Sequence, residues 1–362
     1  MGPRLSSVEV SQYRIPTDRP ESDGTLTWNA TEMVVVQVQA GGETGLGYTY
    51  AGSPAAALIH SKLAVELKDR DALDVPACWA AMRRSIRNLG RPGVCSMAIA
   101  AVDLALWDLK ARLLQQPLAK LLGMCHDHVP IYGSGGFTSY TNVELQQQLS
   151  GWVEEGIAAV KMKIGREPDR DLDRVRAARS AIGPDAALYV DANGAYTRQQ
   201  ALWFAPRFAD EGVCWFEEPV SSDDLDGLRA VRNRTPGGME IAAGEYGYDL
   251  PYFRHMLEAQ AVSVLQADIT RCAGLSEFCR VAGLCAAFQE PLSAHTAPAA
   301  HLHPCCSLER LRNIEHFHDH VRIENQIFDG APQPRAGALW PDLSRPGLGL
   351  ELKLADARRY AA

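Results

Sequence analysis

The 362-residue sequence lacks the marks of a membrane, secreted or nucleic-acid-binding protein. No apolar run approaches the roughly 20 residues that a helix needs to cross a bilayer, and the best candidate, residues 97–107, contains Asp103. Residues 1–4 lack the apolar stretch of a signal peptide. The net charge of −8, with Lys and Arg scattered among acidic residues, is unsuited to binding phosphates. We therefore expect a protein with no membrane and no nucleic-acid partner.

The cysteines also lack a pattern. There are nine, an odd number, without a repeated spacing. Such cysteines in a chain of this size indicate buried thiols in a reducing cytoplasm instead of a disulfide framework. A hydrophobic content of 46% and a charged content of 22% are ordinary for a globular enzyme.

The pattern of predicted strands and helices divides the chain into three parts. Residues 1–125 predict an α+β capping domain, with two strands joined by a mobile loop over 15–27 and then helices that end at Gly123. Residues 126–324 alternate short apolar strands with helix-sized intervals. The predicted strands are 129–134, 159–164, 187–193, 214–219, 240–245, 262–268, 292–295 and 311–315. Eight such units favour an α/β fold, a (β/α)-barrel, and residues 325–362 are expected to return to the capping domain.

A chargeable side chain recurs at the end of seven consecutive predicted strands, at intervals of 20 to 28 residues. In order these are Lys163, Asp191, Glu217, Glu245, Asp268, His295 and Glu315. The carboxyl ends of the strands form the active-site face of this fold. The repetition therefore predicts an active site there.

Asp191, Glu217 and Glu245 come from three neighbouring strands and are predicted to converge. Three carboxylates in one pocket repel each other unless a cation lies between them. Oxygen ligands select a hard metal, Mg²⁺ first, with Mn²⁺ possible. We therefore expect a magnesium site.

Lys161 and Lys163 lie two residues apart on a strand and face the same side, whereas Val160, Met162 and Ile164 face the helices. We expect the two ammonium groups to lower the pKa of at least one of them, which would make it a base. Asp268 and His295 lie on neighbouring strands, and an aspartate on one imidazole nitrogen raises the basicity of the other. Glu315, if protonated, would donate a hydrogen bond to a developing enolate oxygen.

Together these residues resemble the enolase superfamily, and within it the mandelate racemase subgroup. The resemblance covers nearly the whole chain, including residues 101–108 followed by Pro117 and Gly123 in the capping domain. It implies a (β/α)7β modified barrel in which the second lysine of the pair is the base and Asn193 binds substrate beside the metal ligands. A departure is Cys272-Ala273-Gly274, where paired glycines are usual.

The resemblance implies abstraction of the α-proton of a small carboxylate substrate through an enediolate, by Lys163 or His295. The Asp268–His295 pair is similar to that of the acid-sugar dehydratases, and dehydration to a 2-keto-3-deoxy acid is the preferred hypothesis. Racemisation of a 2-hydroxy acid and cycloisomerisation of a sugar lactone or anhydro-sugar acid are alternatives, as is a non-catalytic sugar-acid sensor. We also expect a homo-oligomer. Specificity is expected in the 15–27 segment and around residues 48–50.

Overall fold

The structure, a computed structural model, describes residues 2–362. It opens with an antiparallel sheet in the order β1-β2-β3, formed by β1 (Ser7–Ser22), β2 (Thr27–Ala40) and β3 (Glu43–Thr49). The middle strand is apolar on both faces, and each face packs in a different core. Met33 and Val35 join the core of the barrel, and Val34, Val36 and Val38 join that of the cap. The β-branched run therefore ties the sheet to both parts of the molecule.

The expected mobile loop over residues 15–27 is wrong. β1 continues to Ser22 and pairs with β2 almost to the turn at residues 23–26. Pro16 is accommodated because β1 is an edge strand, where a missing amide donor is tolerated, and because the pairing register shifts between Pro16 and Glu21. The segment is thus a hairpin, and it projects over the barrel.

The rest of the cap is helical, as predicted. The helices are α1 (Ser53–Leu58), α2 (Ala64–Leu67), α3 (Val75–Ser85), α4 (Val94–Leu113) and α5 (Leu118–Leu122), with a π-helix at Ile59–Leu63. The long helix α4 is mostly buried and packs closely on β3. Gly123, with φ of 88°, ends α5 in a conformation that favours glycine, which confirms the predicted stop.

Eight parallel strands form the second part, and all eight predicted strands are present. They are β4 (Val129–Gly135), β5 (Ala159–Lys163), β6 (Ala187–Asp191), β7 (Val213–Glu217), β8 (Glu240–Ala243), β9 (Val264–Ala267), β10 (Leu292–Ala294) and β11 (Leu311–Phe317). Neighbours in sequence pair in order, and β11 pairs with β4, so the barrel closes. The predicted α/β barrel is confirmed.

Seven helices connect the strands and one follows the last strand. They are α6 (Asn142–Glu154), α7 (Pro168–Ile182), α8 (Arg198–Asp210), α9 (Leu225–Arg232), α10 (Leu250–Glu258), α11 (Leu275–Phe288), α12 (Pro298–Cys305) and α13 (His318–Ile327). Inside the barrel, a cluster of five buried residues fills the space beneath the carboxyl ends of the strands: Tyr132, Tyr189, Trp215, Ala242 and Val264. Polar side chains above this apolar floor are consequently held at one level.

The C-terminal segment returns to the beginning of the chain. It contains β12 (Phe328–Asp329), β13 (Ala338–Leu339), β14 (Glu351–Leu352), α14 (Leu354–Ala357) and a 3₁₀ helix at Arg358–Tyr360. Gly347 bridges to Pro117, and Ala361 bridges to Tyr13. Arg112 of α4 donates to Glu351 Oε1 at 2.6 Å. These contacts support a cap made from both ends of the chain, and domain limits at 125 and 324 stay a prediction.

No helix among residues 2–362 is long and apolar enough to cross a membrane. All nine cysteines are free thiols. Six are buried, as expected, and Cys125 is exposed.

Candidate active site

Three carboxylates from adjacent strands meet at the carboxyl end of the barrel. Asp191 and Glu217 are the last residues of β6 and β7 and lie opposite each other in register. Glu245 follows β8 after Gly244, whose φ is 133°, and a Cβ there would lie 2.1 Å from the carbonyl oxygen of Gln266. Only glycine fits that turn, so the chain can pass close to β9 and deliver Glu245 to the site.

The arrangement of these carboxylates fits a divalent cation. One oxygen from each of Asp191, Glu217 and Glu245 lies within 4.8 Å of the others, and all three side chains are buried. Burial and the neighbouring Asp191 raise the pKa of Glu217 to about 8. Asn193 Oδ1 is buried without a hydrogen-bond partner, and so is Glu245 Oε2 apart from His295 Nε2, which lies 3.2 Å away. Buried oxygens that lack partners and repel one another are what a hard dication would satisfy.

A second group of residues, Asp18, Glu21 and His318, also has its polar atoms within 4.8 Å of one another. Each of its members has a partner within the chain, although Glu21 Oε1 is buried without one. His318 Nε2 lies 3.1 Å from Asp18 Oδ2, and Trp28 Nε1 donates to Glu21 Oε2 at 2.8 Å. Burial, with Asp319 nearby, raises the pKa of Glu21 to about 8. This group anchors the indole of Trp28 beside the barrel.

Lys161 and Lys163 point into the barrel, as predicted, and Val160, Met162 and Ile164 pack in the core outside it. Lys163 Nζ donates to Asp191 Oδ2 at 2.5 Å. Lys161 Nζ lies 3.5 Å from Asp191 Oδ2 and 2.8 Å from Glu315 Oε1, and it also pairs with Glu217. The Lys161 ammonium group is therefore surrounded by three carboxylates, and that of Lys163 is paired with one.

The expected mutual lowering of the two lysine pKa values is wrong for the chain without a metal ion. Burial lowers the pKa of Lys163 most strongly, and Lys161 lowers it further, but Asp191, Glu245 and Glu315 together outweigh these effects and hold the pKa above its ordinary value. The pKa of Lys161 is also raised, because Glu217 and Glu315 outweigh its burial. The prediction took account of the two lysines alone, whereas the fold also places carboxylates beside them, and these raise both pKa values.

His295 and Asp268 form the predicted pair. His295 Nδ1 lies 2.9 Å from Asp268 Oδ2, and both side chains are buried. On the other side of the ring, Nε2 lies 3.2 Å from Glu245 Oε2 and 3.7 Å from Glu315 Oε2. Burial lowers the pKa of His295, but Glu245, Glu315 and Asp268 outweigh it and raise the pKa to about 10. Asp268 thus holds the imidazole through Nδ1 and leaves Nε2 directed at the site.

Glu315 lies at the centre of the site, but not as a neutral acid. Ser134 Oγ donates to its Oε1 at 2.5 Å, and the backbone amide of Thr296 donates to Oε2 at 3.1 Å. Burial raises the pKa of Glu315, but Lys161, His295 and Lys163 outweigh it and lower the pKa to about 2. In the absence of substrate and metal, these three cations favour the ionised form of Glu315, so the hydrogen-bond donation expected of a protonated Glu315 needs a proton gained on binding.

A cavity of about 420 Å³ lies between the barrel and the cap. The predicted site residues that line it are Lys163, Asn193, Glu245, His295 and Glu315. Asp191, Lys161 and Asp268 contact these residues, Glu217 contacts Lys161, and none of the four is part of the wall. The hairpin contributes Asp23, Leu26 and Trp28, and the segment after β3 contributes Tyr50. The predicted specificity segments therefore do border the cavity, although Tyr48 does not.

Sequence reasoning missed two polar residues here, Arg271 and Glu218, whereas His320 belongs to the histidines after Glu315 that could line the pocket mouth. Arg271 lines the cavity, with Nη1 3.3 Å from Glu245 Oε1 and Nε 3.6 Å from Asp268 Oδ2. His320 also lines it, and its ring stacks on Tyr50 with centroids 3.4 Å apart. Glu218 is buried next to Glu217 with φ of 35° and with Oε1 unpartnered. The doubled Glu217-Glu218 was the available signal for Glu218, and nothing local marked Arg271.

Residues 272–274, where paired glycines are usual in the family, have an unusual backbone conformation. Ala273 has φ of 65°, a conformation that favours glycine. Its carbonyl oxygen accepts a hydrogen bond from Trp79 Nε1 at 2.8 Å, which links this loop to the cap. This hydrogen bond joins the loop to the cap and involves neither Lys163 nor His295.

Comparison with known proteins identifies the family of the chain. Residues 7–123 match the mandelate racemase / muconate lactonizing enzyme N-terminal domain, and residues 144–357 match the enolase C-terminal domain-like family. A 3,6-anhydro-alpha-L-galactonate cycloisomerase of Streptomyces coelicolor is 32% identical over 99% of both chains. An L-talarate/galactarate dehydratase of Salmonella typhimurium is 30% identical over 99% of this chain and 91% of its own.

Solved structures of proteins from the same family have the same fold. A mandelate racemase/muconate lactonizing enzyme-like protein from Rubrobacter xylanophilus superposes with a TM-score of 0.98 at 55% identity, covering 99% of this chain and 100% of its own. A racemase from Streptomyces coelicolor with bound magnesium gives 0.93 at 30% identity, with coverage of 99% and 100%. The chain belongs to the mandelate racemase / muconate lactonizing enzyme family of the enolase superfamily.

Proposed function

We propose that the protein is an enzyme that dehydrates an acid sugar to a 2-keto-3-deoxy acid and requires Mg²⁺, with Mn²⁺ as a substitute. The proposal rests on one observation. Lys163 and His295 line the same cavity as Glu245, which is one of the three clustered carboxylates. One bound carboxylate substrate can therefore meet two proton-transfer groups.

Asp191, Glu217 and Glu245 would hold the metal ion. When bound, a dication there supplies positive charge that stabilises the negative charge forming on the substrate oxygens, usually a large contribution to catalysis. Asn193, whose backbone amide donates to Asp191 Oδ1 at 2.8 Å, would hold that ligand in place and offer its own side chain to substrate.

The proton transfers are assigned to Lys163 and His295. One of them takes the proton from the carbon next to the substrate carboxylate. The other donates a proton to the β-hydroxyl, and the carbon–oxygen bond breaks to release water. The resulting enol gains a proton at the β-carbon and becomes the 2-keto-3-deoxy acid, so one water is lost per turnover and no oxidant is needed. Lys161 and Asp268 would act as positioning residues for Glu315 and His295 respectively.

Glu315 would orient substrate oxygens from the centre of the site. It lies 3.7 Å from His295 Nε2 and 2.8 Å from Lys161 Nζ, so a substrate oxygen beside it is within reach of both cations. Its hydrogen bonds from Ser134 and Thr296 keep the carboxylate in a single orientation. A hydrogen bond from Glu315 to substrate would require the carboxylate to gain a proton when substrate binds.

A second candidate is cycloisomerisation of a sugar lactone or anhydro-sugar acid, because two relatives bear that activity in their names. One, from Streptomyces coelicolor, aligns over 99% of this chain, and a D-galactarolactone cycloisomerase of Agrobacterium fabrum is 31% identical over 78% of it. The chemistry differs only in the leaving group: a ring oxygen leaves instead of a hydroxyl, and it stays attached to the product.

The test is incubation in D₂O with Mg²⁺ and a panel of aldonic and aldaric acids, their lactones and anhydro acids. Apart from incorporated deuterium, a dehydratase forms 2-keto-3-deoxy acid with a loss of 18 mass units, whereas a cycloisomerase forms a product of unchanged mass. Deuterium exchange next to the carboxylate without net product indicates a racemase or epimerase. Intact metal binding with no exchange in any acid would favour a sugar-acid sensor and overturn the proposal.

We further propose that the protein works in a reducing cytoplasm, which is supported by nine free thiols. We also propose a homo-oligomer, and light scattering during size-exclusion chromatography tests it.

A further inference from the structure

The cap and the barrel contribute very different charges to the cavity wall. The cap residues on the wall are Asp23, Leu26, Trp28, Ala30, Thr31, Glu32, Tyr50, Ala51 and Gly52. Among these there are two carboxylates and no lysine, arginine or histidine. The part of a substrate that projects from the barrel towards the cap therefore meets negative charge, hydroxyl groups and aromatic rings.

The cations on the wall all belong to the barrel, and all three are engaged by carboxylates there. Lys163 contacts Asp191, His295 contacts Asp268, and Arg271 contacts Glu245. Arg271 stays engaged even if Glu245 turns to a metal ion, because it also lies 3.6 Å from Asp268 and 3.3 Å from the backbone oxygen of Glu245.

His320 is the remaining basic group on the wall, and it does not supply positive charge. Burial lowers its pKa to about 3, so the ring is neutral in the physiological range. The ring stacks on Tyr50, and its Nδ1 accepts from the backbone amide of Ala297 at 3.3 Å. It thus offers a flat neutral surface to the ligand.

The two carboxylates of the cap have free acceptor capacity. Asp23 uses Oδ1 to accept from the amides of Thr25 and Leu26, at 2.6 and 2.7 Å, and its Oδ2 makes no hydrogen bond with residues 2–362. Glu32 is exposed at the mouth of the cavity and its side chain pairs with no residue of the described chain. It lies against Gly52, where a Cβ would come within 2.4 Å of Glu32 Oε2. The missing side chain at Gly52 thus leaves room for the carboxylate.

We propose that the cavity selects sugar acids with a single carboxylate, such as an aldonate or its anhydro form, over dicarboxylic aldarates. The inference rests on the proposed function, because it assumes that the reacting carboxylate is held at the barrel end. Asp23 and Glu32 then accept hydrogen bonds from hydroxyl groups at the far end of the sugar chain, and Trp28 packs against its C–H face. A second carboxylate would face these two acids with no free cation to neutralise it, and an unpaired charge of that kind is strongly disfavoured.

The inference is tested with matched acid pairs that differ only at the terminal carbon, which is CH₂OH in the aldonate and carboxylate in the aldarate. We expect kcat/KM to be about 10- to 100-fold higher for the aldonate of the preferred pair. A preference for the aldarate, or equal values within a pair, overturns the inference while leaving the proposed chemistry intact.

Two variants assign the preference to the cap. Glu32→Lys should reduce the aldonate preference at least tenfold, and Asp23→Asn combined with Glu32→Gln should weaken it in the same direction. Glu9→Gln is the matched control, because Glu9 is an exposed glutamate of β1 that does not line the cavity. An unchanged ratio in Glu32→Lys, or an equal change in the control, would remove the cap carboxylates from the selection.

The same pairs are titrated calorimetrically against the Mg²⁺-loaded His295→Asn variant, so that selection is measured even if no acid turns over. Tighter binding of aldonates supports the inference independently of catalysis. Tighter binding of aldarates, or no binding of any aldonate, overturns it. Failure of every acid to exchange deuterium with the wild-type enzyme, with aldonates still bound more tightly, would count against the proposed function alone.

Discussion

Asp268 Oδ2 lies 2.9 Å from Nδ1 of His295, on the neighbouring strand, and the opposite ring nitrogen is directed at Glu245 and Glu315. A carboxylate on Nδ1 stabilises the protonated ring. Replacing it by an amide therefore changes the basicity of His295 while its size and burial stay nearly the same.

Asp268→Asn is expected to lower kcat by about 10- to 100-fold, in line with the loss of an orienting partner. It should also move the pH-dependent limb that belongs to His295 to lower pH, because the amide no longer raises the pKa of the ring. The measurement is kcat/KM against pH for both proteins. A loss of activity with an unmoved profile would show that Asp268 has only a structural role.

Lys163→Ala and His295→Asn are each expected to reduce turnover by at least 10²-fold, a typical contribution of a positioned acid or base. Deuterium exchange separates their roles. The variant that keeps the base exchanges the proton next to the carboxylate without forming product, and the other variant does neither. Lys120→Ala, an exposed lysine of α5, is the control. Full activity in either site variant would exclude that residue from the mechanism.

Adding Mg²⁺ to metal-free protein is expected to raise the melting temperature by several degrees. The ion relieves repulsion among three buried carboxylates, and a ligand at 100 times its Kd stabilises by about 2.7 kcal/mol. Glu217→Gln should abolish most of the shift seen by calorimetry. Asp18→Asn, in the other group of possible ligands, should keep it. The opposite result would place the ion at residues 18, 21 and 318.

His303 is expected to make the protein labile to acid. Burial lowers the pKa of His303 from 6.5 to about 4, and its Nδ1 accepts a hydrogen bond from the amide of Ala119 at 3.2 Å. Between pH 4 and 6.5 the unfolded chain binds more protons than the folded chain, so stability rises with pH in that window and is lost on acidification. The full effect is about 3 kcal/mol.

The check is the free energy of unfolding in urea at pH 7.5 and pH 5. His303→Gln should show a smaller loss between the two than the wild type. The exposed His60 provides the control variant, His60→Gln, whose loss should match that of the wild type. Equal losses in all three proteins would mean that His303 does not govern the acid lability.

Two glycine-to-alanine changes should have opposite effects on stability. At Gly47 of β3 a Cβ would lie 2.2 Å from the backbone oxygen of Ala101 in α4, so Gly47→Ala should destabilise by about 1–3 kcal/mol. Gly151 lies inside α6 with nothing within 4 Å of an added Cβ, so Gly151→Ala should stabilise by about 0.5–1 kcal/mol. The measurement is the denaturation midpoint of each variant compared with that of the wild type. A neutral Gly47→Ala would mean that α4 and β3 separate easily.

Much of the barrel and its site could be predicted because both repeat along the chain. Each strand supplies a short apolar run, and each run ends at a polar residue, so position in sequence gives position in the barrel. Lys163, Asp191 and Glu217 lie opposite one another in the observed register for this reason. The hairpin at residues 15–27 was missed because proline and polar residues normally favour loops, and only its place at the sheet edge allows a strand there.

The sequence by itself determined which chemical groups reach the carboxyl end of the barrel, because strand periodicity and strand spacing are local properties. The tertiary structure decided the charge states of those groups and the character of the opposite wall. Without a metal ion, partners more than twenty residues away favour the ionised forms of Lys163 and Glu315, and the acidic, cation-free wall exists only where the hairpin folds over the barrel. Electrostatic energy depends on distance through space and on burial, and neither can be read from distance along the chain.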